Sequence, residues 1–171
     1  MIALRASCVG PALPLAASLA ALACCGPNGG GEDECGPTEA VVARIVDGDT
    51  VELEGGEKIR YLMVDTPEIT SGHDDCYGTE ARDYNAQLVE GQQVTLRYDE
   101  ECLDRYDRLL AYVELGGREV NAMLVERGYA CVLYIPPNGT ARRDEFEALE
   151  AEAQAERRGM WGACEEVTCA N

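Results

Sequence analysis

Glu39-Ala-Val-Val-Ala-Arg-Ile-Val46, Asp47-Gly48-Asp49, Thr50-Val-Glu-Leu53, Glu54-Gly55-Gly56-Glu57 and Lys58-Ile-Arg-Tyr-Leu-Met-Val64 follow one another without a break. The first, third and fifth of these segments are apolar and β-branched or alternate in polarity, which is strand chemistry. The second and fourth are Asp/Gly and Glu/Gly turns. Residues 39–64 therefore predict a meander of three antiparallel strands, and Pro67 ends the ladder.

Working outward, Thr79 to Val89 has a modest apolar face at helical spacing, with Gly91 just beyond it. Gln93–Tyr98 and Arg108–Leu115 read as strands on either side of an acidic loop, and Gly116-Gly117 as a turn. Asn121–Arg127 reads as a short helix with Asn121 as its N-cap. Tyr129–Tyr134 reads as a short strand, and Arg142–Arg158 as a helix with Phe146, Leu149 and Ala153 on one face. The order β-β-β-α-β-β-α-β-α predicts an α+β, mainly β domain. Its expected form is a five-stranded OB-like Greek-key barrel of antiparallel strands with three helices packed outside. A barrel of that kind leaves function open.

Upstream, residues 1–25 carry one charge, Arg5, followed by an apolar run ending in small residues. This is the pattern of a secretory signal. Ala21-Leu22-Ala23-Cys24-Cys25 resembles a bacterial lipobox, so lipidation at Cys24 (or Cys25) and attachment to a membrane through that lipid are expected. The organisation predicted is a signal over 1–23, an acidic Gly/Pro tether over 24–37, a folded domain over 38–164 and a tail over 165–171. An exported protein at the bacterial cell envelope, monomeric, is the expectation. Cys35, Cys76, Cys102, Cys131, Cys164 and Cys169 remain in the mature chain, an even number that suits disulfides, although Cys131 also fits a buried free thiol. The net charge of −18 argues against a broad electrostatic footprint for nucleic acid, though not against a small basic site. With one histidine in the chain, His73, a multi-histidine metal site or relay is excluded.

Chemistry-bearing residues cluster at predicted strand ends. Asp49 follows a turn, and Asp65 and Glu68 flank Thr66-Pro67. Carboxylates so placed suit a hard cation such as calcium; Asp47 and Asp49 equally suit turn residues bonding their own backbone. Arg60 and Arg108 stand among apolar strand residues. A guanidinium there needs an anion, either a phosphate held bidentately or one of the many acids. Strict alternation puts Arg60 and Asp65 on opposite faces, so a bulge or a strand end must intervene if they are to share a site.

Taken together, Asp47-Gly-Asp-Thr50, Arg60, Val64-Asp-Thr-Pro-Glu68 and Asp104-x-Tyr-x-Arg-x-Leu-Ala-Tyr-Val resemble the thermonuclease family, the staphylococcal-nuclease-like domains. So do Cys76-Tyr-Gly-Thr-Glu-Ala81, Val120–Ala130 and Gly159-Met-Trp-Gly162, so the likeness extends from about Val41 to Trp161. The resemblance implies one Ca2+ held by Asp49, Asp65 and the Thr66 carbonyl. It implies Glu68 as general base, Arg60 and Arg108 as phosphate-binding catalytic residues, and Arg105, Tyr106 and Tyr134 around the nucleotide. It implies hydrolysis of DNA and/or RNA at the 5′ P–O bond, leaving 3′-phosphates. It also implies that the segments of Cys76 and Cys102 meet beside the site, hence a Cys76–Cys102 disulfide, with Cys35, Cys164 and Cys169 competing for a second bond. Asp107 departs from the family's Tyr-Gly-Arg and sets an extra carboxylate beside Arg108. A catalytically weak binding module at the envelope is the competing expectation.

Overall fold

The computed structural model of the chain describes residues 34–70 and 73–169. The expected signal, and Cys24 and Cys25 with it, lie outside the described residues. In chain order the strands are β1 (Glu39–Ile45), β2 (Thr50–Leu53), β3 (Lys58–Tyr61), β4 (Met63–Asp65), β5 (Ile69–Thr70), β6 (His73–Asp74), β7 (Gln93–Arg97), β8 (Leu109–Leu115), β9 (Arg118–Glu119) and β10 (Cys131–Leu133). The helices are α1 (Gly78–Val89), α2 (Val120–Glu126), α3 (Arg143–Ala155) and the single turn α4 (Met160–Ala163). No helix among the described residues is long and apolar enough to cross a membrane.

Five strands close a barrel in the order β3-β2-β1-β7-β8, with β8 returning to β3. The closing pair is parallel, with Ile59 opposite Leu109 and Tyr61 opposite Ala111. The barrel is thus OB-like and mixed, where the short turns between segments predicted antiparallel strands throughout. Side-chain alternation does not reveal strand direction, so this closure could not be read from the pattern. A register shift between Val42 and Arg44 bends β1, letting its first half pair with β7 and its second half with β2. Alternating residues fill the interior: Val51, Leu53, Ile59, Tyr61, Val94, Leu96, Ala111 and Val113 are buried. Leu124 and Val125 of α2 and Phe146 of α3 extend that core outside the barrel.

Asn121 is not an N-cap. It lies within α2, fully buried, and α2 begins at Val120 with no side-chain cap. Its Oδ1 accepts from the Val113 amide at 2.8 Å, and its Nδ2 donates to the carbonyls of Leu62 (2.9 Å) and Ala111 (3.2 Å). These bonds satisfy backbone groups of β8 and of Leu62, the residue just past β3.

The disulfides differ from the expected Cys76–Cys102 bond. Cys35 pairs with Cys102, Cys76 with Cys164, and Cys131, not a free thiol, with Cys169. The packing of the two chain ends gives the reason. Tyr98 donates its hydroxyl to the Pro37 carbonyl at 2.8 Å, which lays the N-terminal segment along the loop after β7 and brings Cys35 to Cys102. The Met160 amide donates to the Gly128 carbonyl at 2.9 Å, and Tyr77 packs against Tyr129 at 5.4 Å, so α4 ends beside the residue before Tyr77.

Candidate active site

The site forms where β3 stops. Leu62 leaves the strand, Met63 takes a left-handed backbone with φ 64°, and the chain continues as β4 beside β10, no longer beside β2. This kink resolves the alternation problem, because it turns Asp65 back toward the face that carries Arg60. Arg60 Nη1 lies 3.1 Å from Asp49 Oδ2, and Nη2 lies 3.2 Å from Asp65 Oδ1. The same guanidinium donates to the carbonyls of Tyr61 (3.1 Å) and Val64 (2.6 Å). With about one-eighth of its side chain exposed, it is held by four acceptors in one orientation.

Asp49 is fixed from the other side. Its Oδ2 accepts from the Thr66 amide (2.9 Å) and hydroxyl (3.2 Å), and its Oδ1 from the Thr50 hydroxyl (3.1 Å). Gly48 makes this approach possible, because a Cβ there would come 2.6 Å from Thr66 Oγ1. Asp47 serves as a turn residue, its Oδ1 accepting from the Asp49 amide at 3.1 Å. Glu68 follows the buried Pro67 on an exposed loop.

Arg108 approaches from the start of β8. Its Nη1 reaches the Thr50 hydroxyl at 3.5 Å, and its Nε and Nη2 both bond Asp104 Oδ2 at 2.7 Å. Asp104 Oδ1 accepts from the amides of Tyr106 (2.8 Å) and Arg108 (3.0 Å). Sequence reasoning gave Asp104 and Thr50 no role. The available signal was the four-residue spacing of Asp104 and Arg108 across a turn, and the buried hydroxyl after Asp49.

A cleft of about 470 Å³ opens beside these groups, lined by Arg60, Asp104, Arg105, Tyr106, Arg108 and the aliphatic Leu133 and Ile135 among others. Arg105 lies over the Tyr106 ring at 4.7 Å and donates to its hydroxyl. Tyr134 is not on the cleft wall. Its hydroxyl bonds Thr140 at 3.0 Å and its ring packs under Arg143 at 5.0 Å. Leu133, the last residue of β10, and Ile135 flank Tyr134 in sequence and line the cleft.

The electrostatics favour a cation. Burial, reinforced by Asp47, pushes the Asp49 carboxyl up to about 6 although Arg60 opposes the shift. Glu68 is raised too, by partial burial and by the charges of Asp49 and Asp65, again against Arg60. Burial leads both shifts and the neighbouring carboxylates add to it against one guanidinium, while the oxygen donors are of the type hard cations take. Among the described residues no three His, Cys, Asp or Glu side chains group to hold an ion alone. An ion bound here would complete its coordination with main-chain oxygen and water. Asp49, Asp65 and Thr66 fit on those terms.

The chain thus combines a mixed OB-like barrel with buried carboxylates, two fixed arginines and a cleft beside them. Residues 58–163 match the model of the staphylococcal nuclease homologue family, and the chain belongs to that family. It is 37% identical over 132 residues to endonuclease YncB of Bacillus subtilis (strain 168), which covers 73% of this chain and 62% of that protein. It is 35% identical over 130 residues to the SPbeta prophage-derived endonuclease YokF of the same organism, covering 72% of this chain and 44% of the other. To the thermonuclease of Staphylococcus intermedius it is 35% identical over 126 residues, 71% of this chain and 74% of that protein. The chain thus spans less than two thirds of the two Bacillus proteins.

Proposed function

We propose that this protein is a calcium-dependent nuclease that hydrolyses phosphodiester bonds of DNA and/or RNA at the 5′ P–O bond, leaving 3′-phosphates. The observation that carries the reading is the convergence of Asp49, Arg60 and Asp65 at the kink after β3, with Arg108 joined to Asp49 through the Thr50 hydroxyl. The family membership and the relatives named endonuclease and thermonuclease support it. Asp49, Asp65 and the Thr66 carbonyl would hold calcium, which when bound supplies Lewis-acid polarisation of a phosphate oxygen and orients water. Glu68, on the exposed loop that follows Asp65 and Thr66, accepts the proton of the attacking water. Arg60 and Arg108 bind the non-bridging oxygens and stabilise the charge that gathers there. Leu133, Ile135 and Tyr106 give the base an apolar wall without sequence readout.

Export and lipid attachment at Cys24 or Cys25 belong to the same proposal and rest on the N-terminal pattern and the even number of cysteines in the mature chain; a monomeric state is proposed alongside them. The test is cleavage of labelled single-stranded and double-stranded DNA and RNA by purified protein, with calcium or with chelator. Calcium-dependent products carrying a phosphatase-sensitive 3′ end are expected. Tight binding of nucleic acid without cleavage would instead support the binding-module reading.

A further inference from the structure

The Tyr106–Arg108 loop has a second hollow on its other side. A cleft of about 460 Å³ lies between this loop, the β2–β3 turn and the N-terminal segment, lined by Pro37, Lys58, Leu103, Tyr106, Asp107 and Arg108 among others. Its volume is in the range of small-molecule sites. Leu103, Tyr106 and Arg108 belong to both clefts, so the exposed Tyr106 is a ridge between them. Two independent ties hold the outer wall: the Cys35–Cys102 disulfide and the Tyr98 hydroxyl on the Pro37 carbonyl. Lys58, exposed at the mouth, is the one lysine of the chain.

We propose that this second cleft is a subsite for a further nucleotide of the same polynucleotide strand. The inference rests on the nuclease reading of the first cleft. A strand whose phosphate is held by Arg108 must leave the first cleft, and the ridge it crosses leads directly into the second. The walls match a nucleoside better than a bare phosphate. Pro37, Leu103, Leu109 and Tyr106 offer apolar surface, while Glu57 and Asp107 line the cleft beside Lys58, and Arg108 is already paired with Asp104. Lys58 then meets the linking phosphate at the mouth, as a flexible point charge.

The subsite predicts a dependence on substrate length that one residue controls. In the Glu68→Gln background, binding of the dinucleotide pTpT and of the octanucleotide (dT)8 is measured by calorimetry, with and without Lys58→Glu. The octanucleotide is expected to bind at least about fivefold more weakly once Lys58 is replaced, with pTpT binding unchanged. A Cys35→Ser/Cys102→Ser variant, checked for its fold by circular dichroism, should lose the same preference for length. Equal binding of (dT)8 by the Lys58→Glu protein and its parent would overturn the subsite, and so would parallel weakening of both ligands. Failure of the parent to bind either ligand would overturn the nuclease reading, and the subsite with it.

Discussion

Arg108 is clamped before any substrate arrives. Both ends of the Asp104 carboxylate are in use, one on the guanidinium and one on two amides of the loop. A lysine keeps the charge of Arg108 but cannot bond Asp104 through one edge while presenting the other edge to a phosphate. Arg108→Lys is therefore expected to lower kcat/KM by about 10²-fold with the fold intact, as measured by steady-state cleavage and circular dichroism. The clamp also has a pH signature. Burial pushes Asp104 up, but bonds from the Arg108 amide and side chain and from the Tyr106 amide outweigh it and hold the carboxyl below its usual value. A depressed carboxylate contributes stability above its unfolded pKa and loses it as pH falls through the folded one. The amides of Tyr106 and Arg108 should accordingly lose hydrogen-exchange protection below the ordinary carboxylate range, and in Asp104→Ala, which removes the acceptor, they should be poorly protected at neutral pH as well.

At the scale of elements, the kink after β3 decides whether a site exists. Leu62 leaves β3 with its carbonyl held by Asn121 and its amide bonded to the Ala111 carbonyl. Asn121→Leu keeps the volume but strands the Val113 amide and the Leu62 carbonyl in the core, while the Ala111 carbonyl keeps only the Leu62 amide. A loss of about 3 kcal/mol in urea unfolding is expected, with the site loosened in what remains folded. The strands around Asp47-Gly-Asp49, the polar cluster at their ends and the helical stretches were legible because each has a local cause: alternation, turn chemistry or apolar spacing. The kink was legible only as a contradiction between Arg60 and Asp65, because the left-handed Met63 carries no glycine to announce it. The parallel β3–β8 closure, the burial of Asn121 and the packing of Tyr134 against Thr140 and Arg143 depend on tertiary neighbours that no local pattern encodes. Disulfide partners were illegible for the same reason, since they follow where the chain ends pack.

For the whole molecule, cross-links and charge set the working conditions. Cys35–Cys102 and Cys76–Cys164 are separated by 67 and 88 residues, so each restricts the unfolded chain by about 4 kcal/mol in the loop-entropy account. Reduction should lower the thermal midpoint by on the order of 10 °C or more. On the proposed reading a few arginines and Lys58 meet phosphate in a chain of net charge −18, so DNA affinity should fall only gently with added salt. The most direct measurement of the central claim is steady-state cleavage of a short DNA by wild-type and Glu68→Gln protein, with calcium titrated. Glu68→Gln keeps the size of an exposed loop side chain and removes its basicity, so the rate should drop by roughly 10²- to 10⁴-fold at unchanged stability. Equal rates for the two proteins, or full wild-type activity in excess chelator, would contradict the account.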